Sequence, residues 1–130
     1  MIAAGIGCRS DAPASDIETA IRTALAHAHL DADALDVIAT IAAKENETGI
    51  RGASTAFGVS LIVVPERELL AANARVETHS ARVTAFAVVG SVAEAAALAA
   101  AGPRSTLIVP RLTVGAATCA LAAAPRESAS

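Results

Sequence analysis

Three stretches of the chain carry residue types that can do chemistry. The first is Gly5-Ile6-Gly7-Cys8-Arg9-Ser10. Two glycines there permit a tight turn and let backbone approach a ligand, while exposed N–H groups and Arg9 can hold a carboxylate or a phosphate. The stretch is only part of a GxGxxG fingerprint, because Ser10 stands where the third glycine would be, and a plain strand-to-helix turn accounts for it equally well. The second is Lys44-Glu45-Asn46-Glu47. Lys44 is the one lysine against nine arginines. Its compact ammonium has a readily shifted pKa, unlike the planar, always-charged guanidinium, so it marks a place where arginine would not serve, unless it stands there by chance. The third is Glu94, the one charged residue in Ser91–Ala101. Ser91-x-x-Glu94 also fits a capping box, in which both side chains satisfy orphan N–H groups of the first helical turn. Cys8 is a conceivable nucleophile, but the sequence places no histidine to activate it.

Each stretch needs an element to position it. Ser91–Ala101 reads as a helix closed by Gly102, which accepts a left-handed conformation, and Pro103, which cannot continue a helix. Apolar on every side, it belongs inside the protein, and at about ten residues it is too short to span a bilayer. Residues 2–7 read as a buried strand leading into the glycine stretch. Val37–Ala42, apolar throughout, reads as a strand covered on both faces that delivers Lys44–Glu47 at its carboxyl end, where ligands gather in open α/β sheets.

Between these lie further elements. Ser15-x-x-Glu18 predicts a capped helix whose stripe is Ile17, Ala20, Ile21, Ala24, Leu25 and Ala28, with Asp16 and Glu18 complementing its dipole. His27 and His29 near its end are two apart and form no metal pair. Asp31–Asp36 is a polar connection without the glycine and closing glutamate of a calcium loop. A helix through Ile50, Ala53 and Phe57 ends at Gly58, Val59–Val64 is a third strand, and Pro65 starts a short helix through Leu69 and Leu70. Asn73–Ser80, with His79, reads as a loop, and Ala81–Val89 as a short helix in preference to a strand. Thr106–Val109 is a strand, Arg111–Gly115 a turn, and Ala116–Leu121 an antiparallel return. Residues 1–122 form one domain and 123–130 a flexible tail.

Composition narrows the function. Of the 130 residues, 54% are hydrophobic and 18% charged, which excludes disorder. Phe57 and Phe86 are the only aromatics, which argues against stacking bases, and a net charge of −3 with no basic run argues against nucleic-acid binding. Cys8 and Cys119 match no zinc pattern and read as reduced thiols. No segment qualifies as transmembrane, so a cytoplasmic protein without membrane partners is expected.

In order along the chain, Gly5-Ile6-Gly7-Cys8-Arg9, Lys44-x-x-Glu47, Val92-Ala93-Glu94-Ala95-Ala96-Ala97-Leu98 and Gly115-x-x-Thr118-x-Ala120 make a distinctive set. From Ile2 to about Ala122 the chain resembles the family of CobE and the CbiG C-terminal domain, proteins of cobalamin (vitamin B12) biosynthesis. The resemblance implies an α/β fold, a three-layer α/β/α sandwich with a mixed sheet of about five strands, in agreement with the alternating strands and helices. The fused CbiG enzyme opens a δ-lactone on a cobalt-precorrin. This chain corresponds only to its last domain, so hydrolase activity does not follow automatically. Near the final strand, where relatives are expected to carry lysine, stands Arg111, which keeps a cation without lysine-specific chemistry.

The resemblance implies a precorrin or hydrogenobyrinate-type tetrapyrrole as ligand, other cobalamin-pathway enzymes as partners, and no tightly bound cofactor or metal. A macrocycle rimmed by carboxylates needs cations and N–H donors around an apolar floor. Arg9, Lys44 and Arg111 are the candidate cations. The turns at Gly5–Ser10, with Gly7 and Cys8, and at Gly90-Ser91-Val92 are the candidate donors, with Glu94 and Thr118 beside them. One hypothesis is a module that binds such intermediates and hands them between enzymes. A second is a hydrolase acting on a precorrin lactone or acyl group, with Lys44 polarising a carbonyl and Glu47 or Glu94 as general base. A third is a non-catalytic scaffold subunit. Binding is preferred, because no acid, base and orienting group stand out as a set.

Overall fold

Strand residues alternate between two faces, and here the two faces differ in size. Along β1 (Ile2–Cys8), Ala4 and Ile6 point to one side, while Ala3 and Gly5 point to the other. The computed structural model describes residues 1–77 and 92–125, so the expected helix at Ala81–Val89, together with His79, Gly90 and Ser91, lies outside the described residues. After β1 come α1 (Ala14–His27), β2 (Val37–Ile41), α2 (Thr48–Phe57), β3 (Ser60–Val64), α3 (Glu66–Glu77), α4 (Val92–Ala101), β4 (Thr106–Val114) and β5 (Ala117–Ala123), with short 3-10 turns at Ala32–Ala34 and Ala42–Lys44.

The five strands form one mixed sheet in the order β3-β2-β1-β5-β4. The first three run parallel, and β5 is antiparallel to both β1 and β4. Helices α1 and α2 cover the face with the large side chains, giving a core of Ile6, Ile17, Ile21, Ile38, Ile50 and Leu121. Arg22 of α1 also stacks over the Phe57 ring of α2, 4.9 Å from its centroid. Helices α3 and α4 cover the small face, against Ala3, Ala39 and Ala122. The result is the three-layer α/β/α sandwich. Among the described residues no helix is long and apolar enough to cross a membrane.

The small face exists for α4. Gly5 pairs with Ala39 on one side and Ala120 on the other, so the middle of the sheet carries almost no side chain there. The helix settles into that gap. A Cβ on Gly5 would collide with the carbonyl oxygen of Ala93 and stand 2.6 Å from the backbone nitrogen of Ala97. Both are main-chain atoms of α4 and cannot rotate away.

Four local expectations are corrected. Helix α1 starts two residues earlier, with Pro13 and not Ser15 at the N-cap and no side-chain cap bond, so Ser15-x-x-Glu18 is not a capping box. The first amides, of Asp16 and Ile17, instead reach the Pro13 carbonyl. Helix α3 runs on through Asn73 to Glu77, where a loop was expected, and Leu69 and Ala72 earlier in it pack with residues of α4. Strand β4 continues through Pro110 to Val114. It is an edge strand, where proline's missing N–H leaves no partner unpaired, and the ladder shifts register between Val109 and Leu112. The turn predicted at Arg111–Gly115 therefore shrinks to the tip of a hairpin, where Gly115 has φ 57°. Strand β5 runs to Ala123, and the Ala124 amide donates to the Met1 carbonyl.

The seat of α4 is testable. Gly5→Ala should lower the unfolding free energy by about 1–3 kcal/mol or more, the range for overpacking a close-packed core. An unchanged urea midpoint would show that α4 does not sit this close to β1.

Candidate functional site

An open cleft of about 420 Å³ lies where β1 and β2 end. The two strands are parallel, so their carboxyl ends come out together. Strand β1 brings Gly7, Cys8 and the following Arg9 to it, and β2 brings Ile41 and the following Lys44. The start of α4 adds Val92 and Ala93, and the β4–β5 hairpin closes the far side with Thr113, Gly115 and Thr118.

Each wall is braced. The Arg9 amide donates to the Ala116 carbonyl at 3.0 Å, joining the end of β1 to the hairpin. The Ala116 amide in turn donates to Asp16 Oδ2 at 3.0 Å, so the first turn of α1 holds the hairpin tip. Beyond Arg9, Asp11 takes a left-handed φ of 63°, and its amide donates to Glu47 Oε1 at 2.8 Å. Glu47 thus ties the Arg9 loop to the Lys44 loop. Arg51 of α2 supports the latter, donating through Nε to the Glu45 carbonyl at 2.8 Å. Opposite, Glu94 is buried and accepts the Arg111 amide at Oε2, 3.0 Å away, while its Oε1 lies 3.6 Å from the Arg111 guanidinium.

Of the residues singled out from sequence, Gly7, Cys8, Arg9, Lys44, Val92 and Thr118 line this cleft. Gly5 lies beneath α4, outside the lining. Gly5 and Gly7 both sit inside β1, paired with Ala120 and Thr118, so the expected donor turn begins only after Cys8, and the Arg9 amide is already engaged. Glu47 and Glu94 hold backbone amides and neither is in the lining; Arg111 faces Glu94 and is not in it either. Gly90 and Ser91, including the Ser91 half of the capping box, lie outside the described residues.

Sequence reasoning missed the bracing by Asp16, visible there only as a dipole-compatible charge, and the contribution of Thr113. Thr113 pairs with Thr118 across the hairpin, their hydroxyl oxygens 3.4 Å apart. The two threonines flanking Gly115, at 113 and 118, were the available signal.

The thiols are both free. Burial pushes the Cys8 thiol up, the charge of Glu47 pushes it further, and Lys44 partly offsets them. Burial alone pushes Cys119 up to about 12. At neutral pH neither is a poised thiolate nucleophile. Among the described residues the cleft therefore offers two cations, two hydroxyls, a neutral thiol and apolar surface.

This is an α/β domain with a ligand-sized cleft at its strand carboxyl ends. Residues 2–122 match the family described as Cobalamin synthesis G C-terminus, and the chain belongs to that family of cobalamin biosynthesis proteins. It is 33% identical over 118 residues to protein CobE of Sinorhizobium sp., a match covering 91% of this chain and 77% of CobE. Among solved structures, it resembles cobalamin biosynthesis protein chiG from Agrobacterium tumefaciens (TM-score 0.75, 34% identity, covering 97% of this chain and all of that one). It also resembles a crystal structure of CobE (TM-score 0.80, 29% identity, covering 94% and 92%).

The electrostatics of the cleft can be read at Cys8. Iodoacetamide should modify Cys8 in the native protein and Cys119 only after unfolding. Since a lower pKa means more thiolate, Glu47→Gln should speed Cys8 alkylation at pH 8 and Lys44→Ala should slow it. Equal rates in both variants would place neither charge beside the thiol.

Proposed function

We propose that this protein binds a carboxylated tetrapyrrole intermediate of cobalamin biosynthesis, of the precorrin or hydrogenobyrinate type, in the cleft at the ends of β1 and β2, and hands it on between cytoplasmic pathway enzymes. The observation that carries this reading is the convergence of Arg9 and Lys44, from two different strands, on one apolar cleft. Such a pair suits the acid side chains on one edge of a macrocycle, and hydroxyls of Thr113 and Thr118 stand ready for a further acceptor. A volume of about 420 Å³ lies within the usual range for small-molecule sites, and the open form leaves the rest of a large ring accessible to the next enzyme. Family membership supports the pathway, and the cations support the polyanionic ligand despite the negative net charge.

Binding is favoured over lactone or acyl hydrolysis by one specific feature. Among the described residues no carboxylate lines the cleft, and the two proposed bases, Glu47 and Glu94, are engaged with the amides of Asp11 and Arg111.

Absorbance titration of the purified protein with hydrogenobyrinate, followed by gel filtration, tests the reading. A saturable spectral change with retained pigment is expected. Lys44→Ala should weaken binding about tenfold or more, since a hydrogen bond to a charged group contributes roughly 1.5–3 kcal/mol. A wild-type protein that leaves the spectrum unchanged and carries no pigment would overturn the proposal. Consumption of a precorrin with release of a small aldehyde would favour the hydrolase.

A further inference from the structure

Gly5 and Gly7 stand two residues apart on the same face of β1, yet they are glycine for different reasons. At Gly5 the backbone of α4 fills the space a side chain would need. At Gly7 the nearest described atom to an added Cβ is Val92 Cγ1, 3.9 Å away, which is ordinary contact. Gly7 is not among the residues with positive φ. Among the described residues, then, neither packing nor backbone conformation asks for glycine at this position. Glycine in a strand interior is destabilising relative to alanine, so it needs a return from elsewhere. Gly7 lines the cleft, between Thr118, its partner in β5, and Val92 at the head of α4.

We infer that Gly7 is the floor of the cleft, a bare stretch of backbone on which the flat face of the ligand's ring rests, and that its missing side chain is what admits a plate-shaped ligand. The inference rests on the tetrapyrrole reading and adds the residue that selects for ring shape. A ring in contact with the backbone lies about 3.5–4.0 Å from it. A methyl group would project about 1.5 Å from Cα into that gap. It would lift the ring and draw its acid groups away from Arg9 and Lys44. Charge would still favour the ligand, but the cations and the floor could no longer be reached together.

The test compares wild type, Gly7→Ala and Gly7→Val by urea unfolding and by absorbance titration with hydrogenobyrinate. Gly7→Ala should unfold at a urea concentration equal to or above that of wild type and bind at least tenfold more weakly. Gly7→Val should bind more weakly still. Wild-type affinity in Gly7→Ala would overturn the floor assignment while leaving the tetrapyrrole reading intact. A marked fall in the Gly7→Ala urea midpoint would overturn it as well, by showing that the fold itself requires this glycine. Absence of binding by wild type would remove the tetrapyrrole reading and the floor together.

Discussion

Helix α4 packs main chain against main chain on β1, with no room at Gly5 for even a methyl group. A helix can lie this near a sheet only where the strands present almost nothing, and Ala39, Gly5 and Ala120 form such a row. The helix answers with alanine: from Ala93 to Ala97 Glu94 is the only larger residue, and the whole run is buried. Its C-terminus is closed from the next segment, where the Ser105 hydroxyl lies 3.0 Å from the Leu98 carbonyl oxygen and 2.6 Å from that of Gly102. Because α4 sits deep, its first residues meet the end of β1 and become a wall of the cleft.

Depth creates a second problem, and β4 answers it. A buried carboxylate is costly unless its oxygens are hydrogen-bonded, and Glu94 lies inside the α4 layer. On the neighbouring edge strand, Pro110 offers no N–H, and two residues, Pro110 and Arg111, stand between the ladder pairs Val109–Leu121 and Leu112–Cys119, where β5 has the single residue Ala120. The Arg111 amide turns to Glu94. Edge proline, shifted register and buried glutamate are therefore parts of one arrangement. It also anchors the strand that leads into the hairpin on the far side of the cleft.

The same logic governs the other carboxylates near the cleft. Glu47 and Asp16 each accept a backbone amide from a different loop, at Asp11 and Ala116. Among the described residues, acidic groups do the fastening and are not in the lining, where Arg9, Lys44, hydroxyls and a thiol stand. The raised pKa of Cys8 fits this division, since a neutral thiol does not repel a carboxylate where a thiolate would. Among the described residues, the cleft presents positive charge with no carboxylate in its lining.

Helices α1, α2 and α4 and strands β1 to β3 were legible because each carries its own period or punctuation, as Gly58 and Gly102 do at the ends of α2 and α4. The length of β4 was not, because Pro110 reads as a stop until the strand is known to lie at an edge. The two cations of the cleft were visible as a lone lysine at a strand end and an arginine after a glycine stretch. The difference between Gly5 and Gly7 was not, since it is defined by a helix some ninety positions later in the chain. Arg111 shows the limit most clearly. Sequence offers its guanidinium as a binding group, but the shorter contact with Glu94 comes from its amide, at 3.0 Å against 3.6 Å for the side chain. Any residue except proline supplies that amide. The tie from α4 to β4 therefore does not depend on lysine or arginine at this position, and the departure from the expected lysine leaves the architecture of the cleft intact.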